Sequence, residues 1–234
     1  MDPDFYKSLH KFCFLVRDEI YDVTPYRTHL LTGFSNRLGE VEKDPFIGFV
    51  GENYFQSKKK VLIMGRSNAQ SSDDHYHLDM KINESFKIFK SADSNYEFFY
   101  RKYADSYVDA MPAWRIYKNL ISYFLRKANL DLNDICYVNS VPFRYGDGKR
   151  TSPTIGHYEV SYKVFTNKFI SLIRPNQIIP LGINDDKNVL DRCLDIDFEC
   201  TISRGVERTN GDHYLCEQGK RDIEDAYVDF NNLQ

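Results

Sequence analysis

Residues 58–77 read KKKVLIMGRSNAQSSDDHYH, and the change of character within them decides the architecture. Val61 to Met64 form an apolar run too short for a helix, which suits a buried strand. The run ends at Gly65. A dense polar segment follows, with Arg66, Ser67, Asn68, Gln70, two serines, Asp73, Asp74, His75 and His77. Such a segment is either a surface loop or the tip of a strand that carries chemistry.

The same pattern recurs downstream. In DICYVNSVPF (134–143), Ile135 to Val138 predict a second strand ending at Asn139. In IRPNQIIPLG (173–182), Gln177 to Leu181 predict a third, closed by Gly182, and DFECTISRG (197–205) predicts a fourth. Helical spacing lies between them. Phe5, Leu9, Phe12, Cys13 and Val16 place an amphipathic helix over 4–21. Residues 84–104 read as helical or broken-helical. In PAWRIYKNLISYFLRKANL (112–130), Pro112 can start a helix whose apolar face holds Trp114, Tyr117, Leu120, Ile121, Phe124 and Leu125. Further helices are expected over 158–173, within DDKNVLDRCL (185–194) and over 222–230. The stretch 24–58 is glycine-punctuated and reads as loop.

Strands alternating with helices predict an α/β fold. The expectation is a single-domain three-layer α/β/α sandwich around a central, mainly parallel four-stranded sheet. Residues 1–57 form a helical and irregular N-terminal extension of that one domain. In parallel sheets, ligands bind at the carboxyl ends of the strands, so the polar residues after the first two runs fall on one rim.

Bulk properties narrow the function. A chain of 234 residues with 42% hydrophobic and 15% aromatic residues has material for one real core. A net charge of −3 excludes nucleic-acid binding by bulk basicity, though a local basic groove stays compatible. No apolar run reaches the ~20 residues of a membrane span, and MDPDFYKSLH lacks a signal-peptide pattern. The expectation is a soluble, cytoplasmic (nuclear in a eukaryote), non-secreted monomer. Cys13, Cys136, Cys193, Cys200 and Cys216 contain no C-x-x-C pair and read as reduced structural thiols, so neither a metal nor another cofactor is expected. Nucleotide-cradle, H-E-x-x-H and G-x-S-x-G patterns are absent.

Taken in order, VLIMGRSNAQ, ICYVNSVPFRYGDGKRTSP and FISLIRPNQIIPLG resemble the uracil-DNA glycosylase superfamily, over roughly residues 45–215. In that family the first strand ends in a glycine before a catalytic Asp, Asn or Glu. The second ends in an asparagine that reads the flipped base, and an Arg-Pro pair leads to a strand closing in Leu-Gly. The chain departs from the pattern twice. Ser67 stands where the family has Asp or Asn, with no proline after it, and SRGVERTNGDHY replaces the His-Pro-Ser motif. The cysteines of the iron–sulfur branches are missing as well, so no cluster is expected.

The resemblance implies a monofunctional DNA glycosylase that excises a uracil-like or modified pyrimidine in base excision. DNA repair and defence against foreign DNA suit it equally. Such chemistry needs a group that holds water on the sugar face and donors that stabilise the departing base. Asn68, Asp73 and Asp74 are the candidates for positioning water, and SSDD equally suits a helix N-cap. His213 is the candidate imidazole. Gly65, Ser67, Asn139 and Phe143 are expected at the base. Asn139 can offer an acceptor and a donor together, or simply turn the chain before Pro142. Phe143 can stack on the base or fill the core. Arg144, Lys149, Arg150, Arg204 and Arg208 are the candidate contacts to DNA. The alternative from another class is a catalytically inactive nucleic-acid-binding module of the same fold.

Overall fold

The computed structural model of the protein describes residues 4–15, 46–68, 76–114, 116–144, 153, 155–183, 189–206 and 217–233. The three apolar runs form the centre of one sheet: β2 (Val61–Asn68), β3 (Ile135–Arg144) and β4 (Gln177–Leu181). Two very short strands flank them, β1 (Phe49–Val50) and β5 (Thr201–Ile202). The order is β1-β3-β2-β4-β5, with only β1 antiparallel.

The expected four-stranded sheet is therefore five-stranded. The strand missed is β1, which lies in the stretch read as loop. It is held at the edge through register pairs Phe49↔Tyr137 and Val50↔Cys136. Gly48 permits the approach: its φ is 75°, and a Cβ there would sit 2.2 Å from the Tyr137 carbonyl oxygen.

Alternation along the strands sorts side chains into two faces. Val61, Ile63 and Gly65 share a face with Ile135, Tyr137 and Asn139 and with Gln177, Ile179 and Leu181. This face lies under α8 (Glu217–Asn232), because the buried Gln177 Nε2 donates to the Ala226 carbonyl at 2.8 Å. Beside α8 packs α4 (Ser122–Ala128), with the Phe124 and Phe230 rings edge to face at 5.9 Å.

The opposite face carries Met64 and Ser140. The Tyr162 hydroxyl reaches both, 3.6 Å from the Met64 sulfur and 3.2 Å from Ser140 Oγ. Tyr162 belongs to a continuous helical segment of α5 (Ile155–Ser161), a π turn (Tyr162–Thr166) and α6 (Asn167–Ile173). On this side α1 (Asp4–Leu15) sets Phe12 against Phe165 at 5.7 Å. It also packs on α2 (Tyr76–Lys90) and α3 (Tyr96–Ala110), and Tyr100 of α3 accepts a hydrogen bond from the Val50 amide. A short α7 (Val189–Cys193) covers α5. The result is the expected α/β/α sandwich. One connected core runs from Phe5 to Phe230, so α1 is built into it.

Several boundaries differ from expectation. The helix expected from Pro112 starts at Ile116, since Pro112 lies in a 3-10 turn (Met111–Ala113) and Trp114 is extended at φ −78°, ψ 142°. The fourth strand shrinks to Thr201–Ile202 plus a bridge from Val206 to Leu181. Both β2 and β3 run past their apolar cores because each gives the other pairing partners as far as Asn68 and Arg144. No helix among the described residues is long and apolar enough to cross a membrane.

Candidate functional site

The chain crosses from β2 to β3 on one side, then returns past β2 to β4 on the other. The order of the sheet reverses at β2, and the crevice at such a reversal is where open α/β sheets take ligands. Gly65 lies at this point, paired in register with Asn139 on one side and Leu181 on the other.

Space above Gly65 is filled by two polar side chains from β3. A Cβ at Gly65 would lie 2.3 Å from Asn139 Oδ1 and 2.5 Å from the Tyr137 hydroxyl. Tyr137 and Asn139 are two residues apart in one strand and so share a face. The Tyr137 hydroxyl donates to Asn139 Oδ1 at 3.0 Å. Both residues are buried, Asn139 at 2% exposure. An amide withdrawn from water in this way is costly unless it is hydrogen-bonded, and Tyr137 supplies one such bond.

Tyr137 is itself fixed. Its ring stacks on Phe49 at 6.3 Å and 23°, and Phe49 rests against Tyr107 at 5.7 Å. Tyr107 meets Trp114 edge to face at 5.8 Å. An aromatic wall thus runs from the edge of the sheet to the turn after α3. Phe46 extends it along the rim, donating its amide to the Pro142 carbonyl at 2.7 Å and packing on Tyr107 at 6.1 Å.

Across the reversal, Arg66 Nε donates to the Gly182 carbonyl at 2.7 Å. Gly182 has a φ of 68°, and its amide donates to the Val206 carbonyl at 2.9 Å. Arg66 therefore staples the end of β2 to the turn after β4.

Several expected site residues take places the sequence did not suggest. Asn139 lies inside β3 instead of ending it, and the strand continues through Pro142, whose carbonyl accepts from the Phe46 amide. Ser67 and Asn68 are strand residues of β2 instead of loop residues. Ser67 pairs with Val141, and Asn68 with Arg144 after a register shift. Phe143 and Arg144 close β3. Arg204 is an exposed guanidinium whose Nε stands 3.8 Å from the buried Asp222 carboxylate. Asp73, Asp74, Lys149, Arg150, Arg208 and His213 lie outside the described residues, as does Cys216. Among the described residues, the fold brings the side chain of Asn139 into contact with Gly65.

Three further buried residues belong in the inventory. Tyr137 could have been found by applying the two-residue period of a strand backwards from Asn139. Asp79 is 3% exposed in the first turn of α2, the helix that follows β2. It precedes Ile82, Asn83 and Phe86 on the buried stripe of that helix, and that spacing was readable. His157 is buried in α5, the helix that follows β3.

Among the described residues, the thiols are poor candidates for a nucleophile. Cys13, Cys136 and Cys193 are buried, and burial pushes Cys136 and Cys193 up, with Cys200 raised to about 12. Among the described residues, no group of three or more His, Cys, Asp or Glu is placed to hold a metal ion. The outer face of the α5–α6 segment carries a separate open cleft of about 730 Å³ with mixed charge, in which Arg192 pairs with Glu159 at 2.6 Å. It is turned away from Gly65.

Compared with known proteins, the chain matches no family model and no curated protein.

Proposed function

We propose that the protein is a DNA glycosylase that hydrolyses the N-glycosidic bond of a flipped uracil-like or modified pyrimidine, leaving an abasic site. The observation that carries this reading is the contact of Gly65 and Asn139 at the reversal of strand order, with the amide oriented by Tyr137. A glycine without a side chain lets the amide lie close over the end of β2, and an asparagine can pair with the acceptor–donor edge of a pyrimidine. The resemblance of the three ordered motifs points the same way.

In this reading the water oxygen bonds to the sugar C1′ as the C1′–N bond breaks. The bonding pair leaves with the base, which takes up a proton, and no electrons are exchanged with any other partner. Asn68, Asp73 or Asp74 holds the water, and its proton passes to solvent or a carboxylate. Asn139 stabilises charge on the departing base, and His213 supplies the imidazole. Phe143 stacks on the base. Arg144, Lys149, Arg150 and Arg208 contact phosphates, and Arg204 shares its charge between Asp222 and DNA.

A second reading draws on the burial of Asn139. A deeply buried amide bonded within its own strand also suits a purely structural tether, and hence an inactive DNA-binding module of the same fold. Labelled oligonucleotides carrying uracil, mismatched bases or modified cytosines, single- and double-stranded, decide between the two after alkali treatment. Strand cleavage at one base supports the glycosylase. Silence throughout, with a retained gel shift, supports the module.

A further inference from the structure

We propose that Arg66 holds a backbone phosphate of the flipped nucleotide, so that the crevice binds the sugar–phosphate as well as the base. The proposal rests on the DNA-binding part of the reading above, which the active glycosylase and the inactive module share. Gly65 marks the reversal of strand order, with β3 on one side and β4 on the other. Asn139 and Tyr137 reach it from β3. The anchor of Arg66 lies on the β4 side. It is the carbonyl of Gly182, one residue beyond Leu181, the register partner of Gly65.

Here the guanidinium is tied to the end of the sheet. Arg66 is half-buried, and its Nε donates to the Gly182 carbonyl at 2.7 Å. The acceptor is itself held in place. Gly182 is buried, has a φ of 68° that suits glycine, and gives its amide to the Val206 carbonyl at 2.9 Å. A guanidinium is planar, so a bond at Nε restricts the direction of its outer edge. An arginine can serve a protein carbonyl and a phosphate at once, because its N–H donors form a fork that matches phosphate oxygens. Neighbouring strands lie about 4.8 Å apart, so β3 and β4 stand roughly 10 Å from each other across β2. One nucleotide covers such a span from its base edge to its phosphate. Arg66 is a binding residue in this scheme and takes no part in breaking the C1′–N bond.

The test measures binding to a duplex with a single uncleavable abasic analogue, which admits sugar and phosphate to the crevice whatever the natural base. Arg66→Met is expected to weaken this binding by about tenfold to a hundredfold, the worth of a charge-assisted contact. The plot of log affinity against log salt should become shallower by about 0.9, the signature of one lost phosphate. Arg66→Lys keeps the charge without the fork, so its slope should match the wild type while its affinity falls between the two. An arginine that merely staples the strand ends lowers the melting temperature and leaves the salt slope unchanged, which overturns the proposal.

Neutral methylphosphonates in place of the phosphates flanking the analogue repeat the test on the wild-type protein, independently of how any variant folds. A loss of about tenfold or more supports the proposal, and binding as tight as to the natural backbone overturns it. A wild type that binds no duplex overturns the DNA reading along with the proposal. Tight abasic binding with an unchanged slope in Arg66→Met overturns the role of Arg66 alone.

Discussion

Gly65 and Asn139 face each other across two parallel strands so closely that Asn139 Oδ1 occupies the space a Cβ at Gly65 would need, at 2.3 Å. The pair ties the topology of the sheet to its chemistry. The glycine sits where the strand order reverses, and the asparagine and Tyr137 side chains fill the space above it.

Gly65→Ala tests the contact directly. The added methyl meets Asn139 Oδ1 and the Tyr137 hydroxyl, and Tyr137 is braced by Phe49, so Asn139 has to move. The expected cost is about 1–3 kcal/mol of stability, typical of an overfilled core. On the proposed function, kcat/KM should fall on the order of 100-fold, since a small displacement of an oriented group is expensive. Chemical denaturation and kcat/KM together check this. An unchanged kcat/KM in a folded variant would show that the space above Gly65 is not used.

Ser203→Ala addresses the join between the sheet and α8. Gln177 Nε2 donates to Ser203 Oγ at 2.7 Å, and Ser203 Oγ donates to Asp229 at 2.6 Å. Removing the hydroxyl leaves the buried Gln177 amide and the carboxylate each short of a partner. A loss of about 1–3 kcal/mol in unfolding free energy, read from a lowered denaturant midpoint, is expected, with no change in activity beyond that.

Lys59→Met separates charge from packing at the opposite rim. Lys59 Nζ donates to the Phe230 and Asn231 carbonyls at 2.9 and 3.1 Å, closing the last turn of α8, and lies 5.0 Å from the Phe230 ring. Methionine retains the apolar stem, so the expected loss is about 0.3–1 kcal/mol, shrinking further in the presence of salt. Thermal melts at low and high ionic strength measure it.

Alkali should unfold the protein in a defined window. Burial raises Tyr54, Tyr100, Tyr103, Tyr162 and Cys136, and raises Cys200 from 9.0 to about 12. In each case the folded state holds its proton more tightly than the unfolded chain does. Above the unfolded values, near 9 for thiols and 10 for phenols, the unfolded state binds fewer protons, so stability falls as pH rises. For Cys200 the loss runs from about pH 9 to about pH 12. Tyrosinate absorbance should rise together with loss of helical circular dichroism. Ionisation of these tyrosines in a still-folded protein would contradict it.

Much of the fold was legible because its strand cores are largely apolar. Val61–Met64, Ile135–Val138 and Gln177–Leu181 are buried by two helical layers, and that burial leaves a readable run. The ends of β2 and β3 were not legible, since pairing between neighbours continues after the apolar residues stop. Asn139 and Ser140 look like loop residues in sequence, but Tyr137 and Tyr162 satisfy them inside the sheet. β1 escaped because two residues beside a positive-φ glycine carry no period. At the site, Gly65 and Asn139 could be named from their places after apolar runs. Tyr137 was passed over because a tyrosine in a strand reads as core until its hydroxyl is seen to have a polar partner.

The most direct measurement follows release of free base from DNA by the purified protein and by Asn139→Ala. A glycosylase that reads its base with Asn139 liberates one pyrimidine type and leaves abasic sites in equal number. The Asn139→Ala variant, still folded by circular dichroism, should lose at least about 100-fold in kcat, the scale of removing one transition-state donor. Base release at the same rate by both proteins, or by neither, would contradict it.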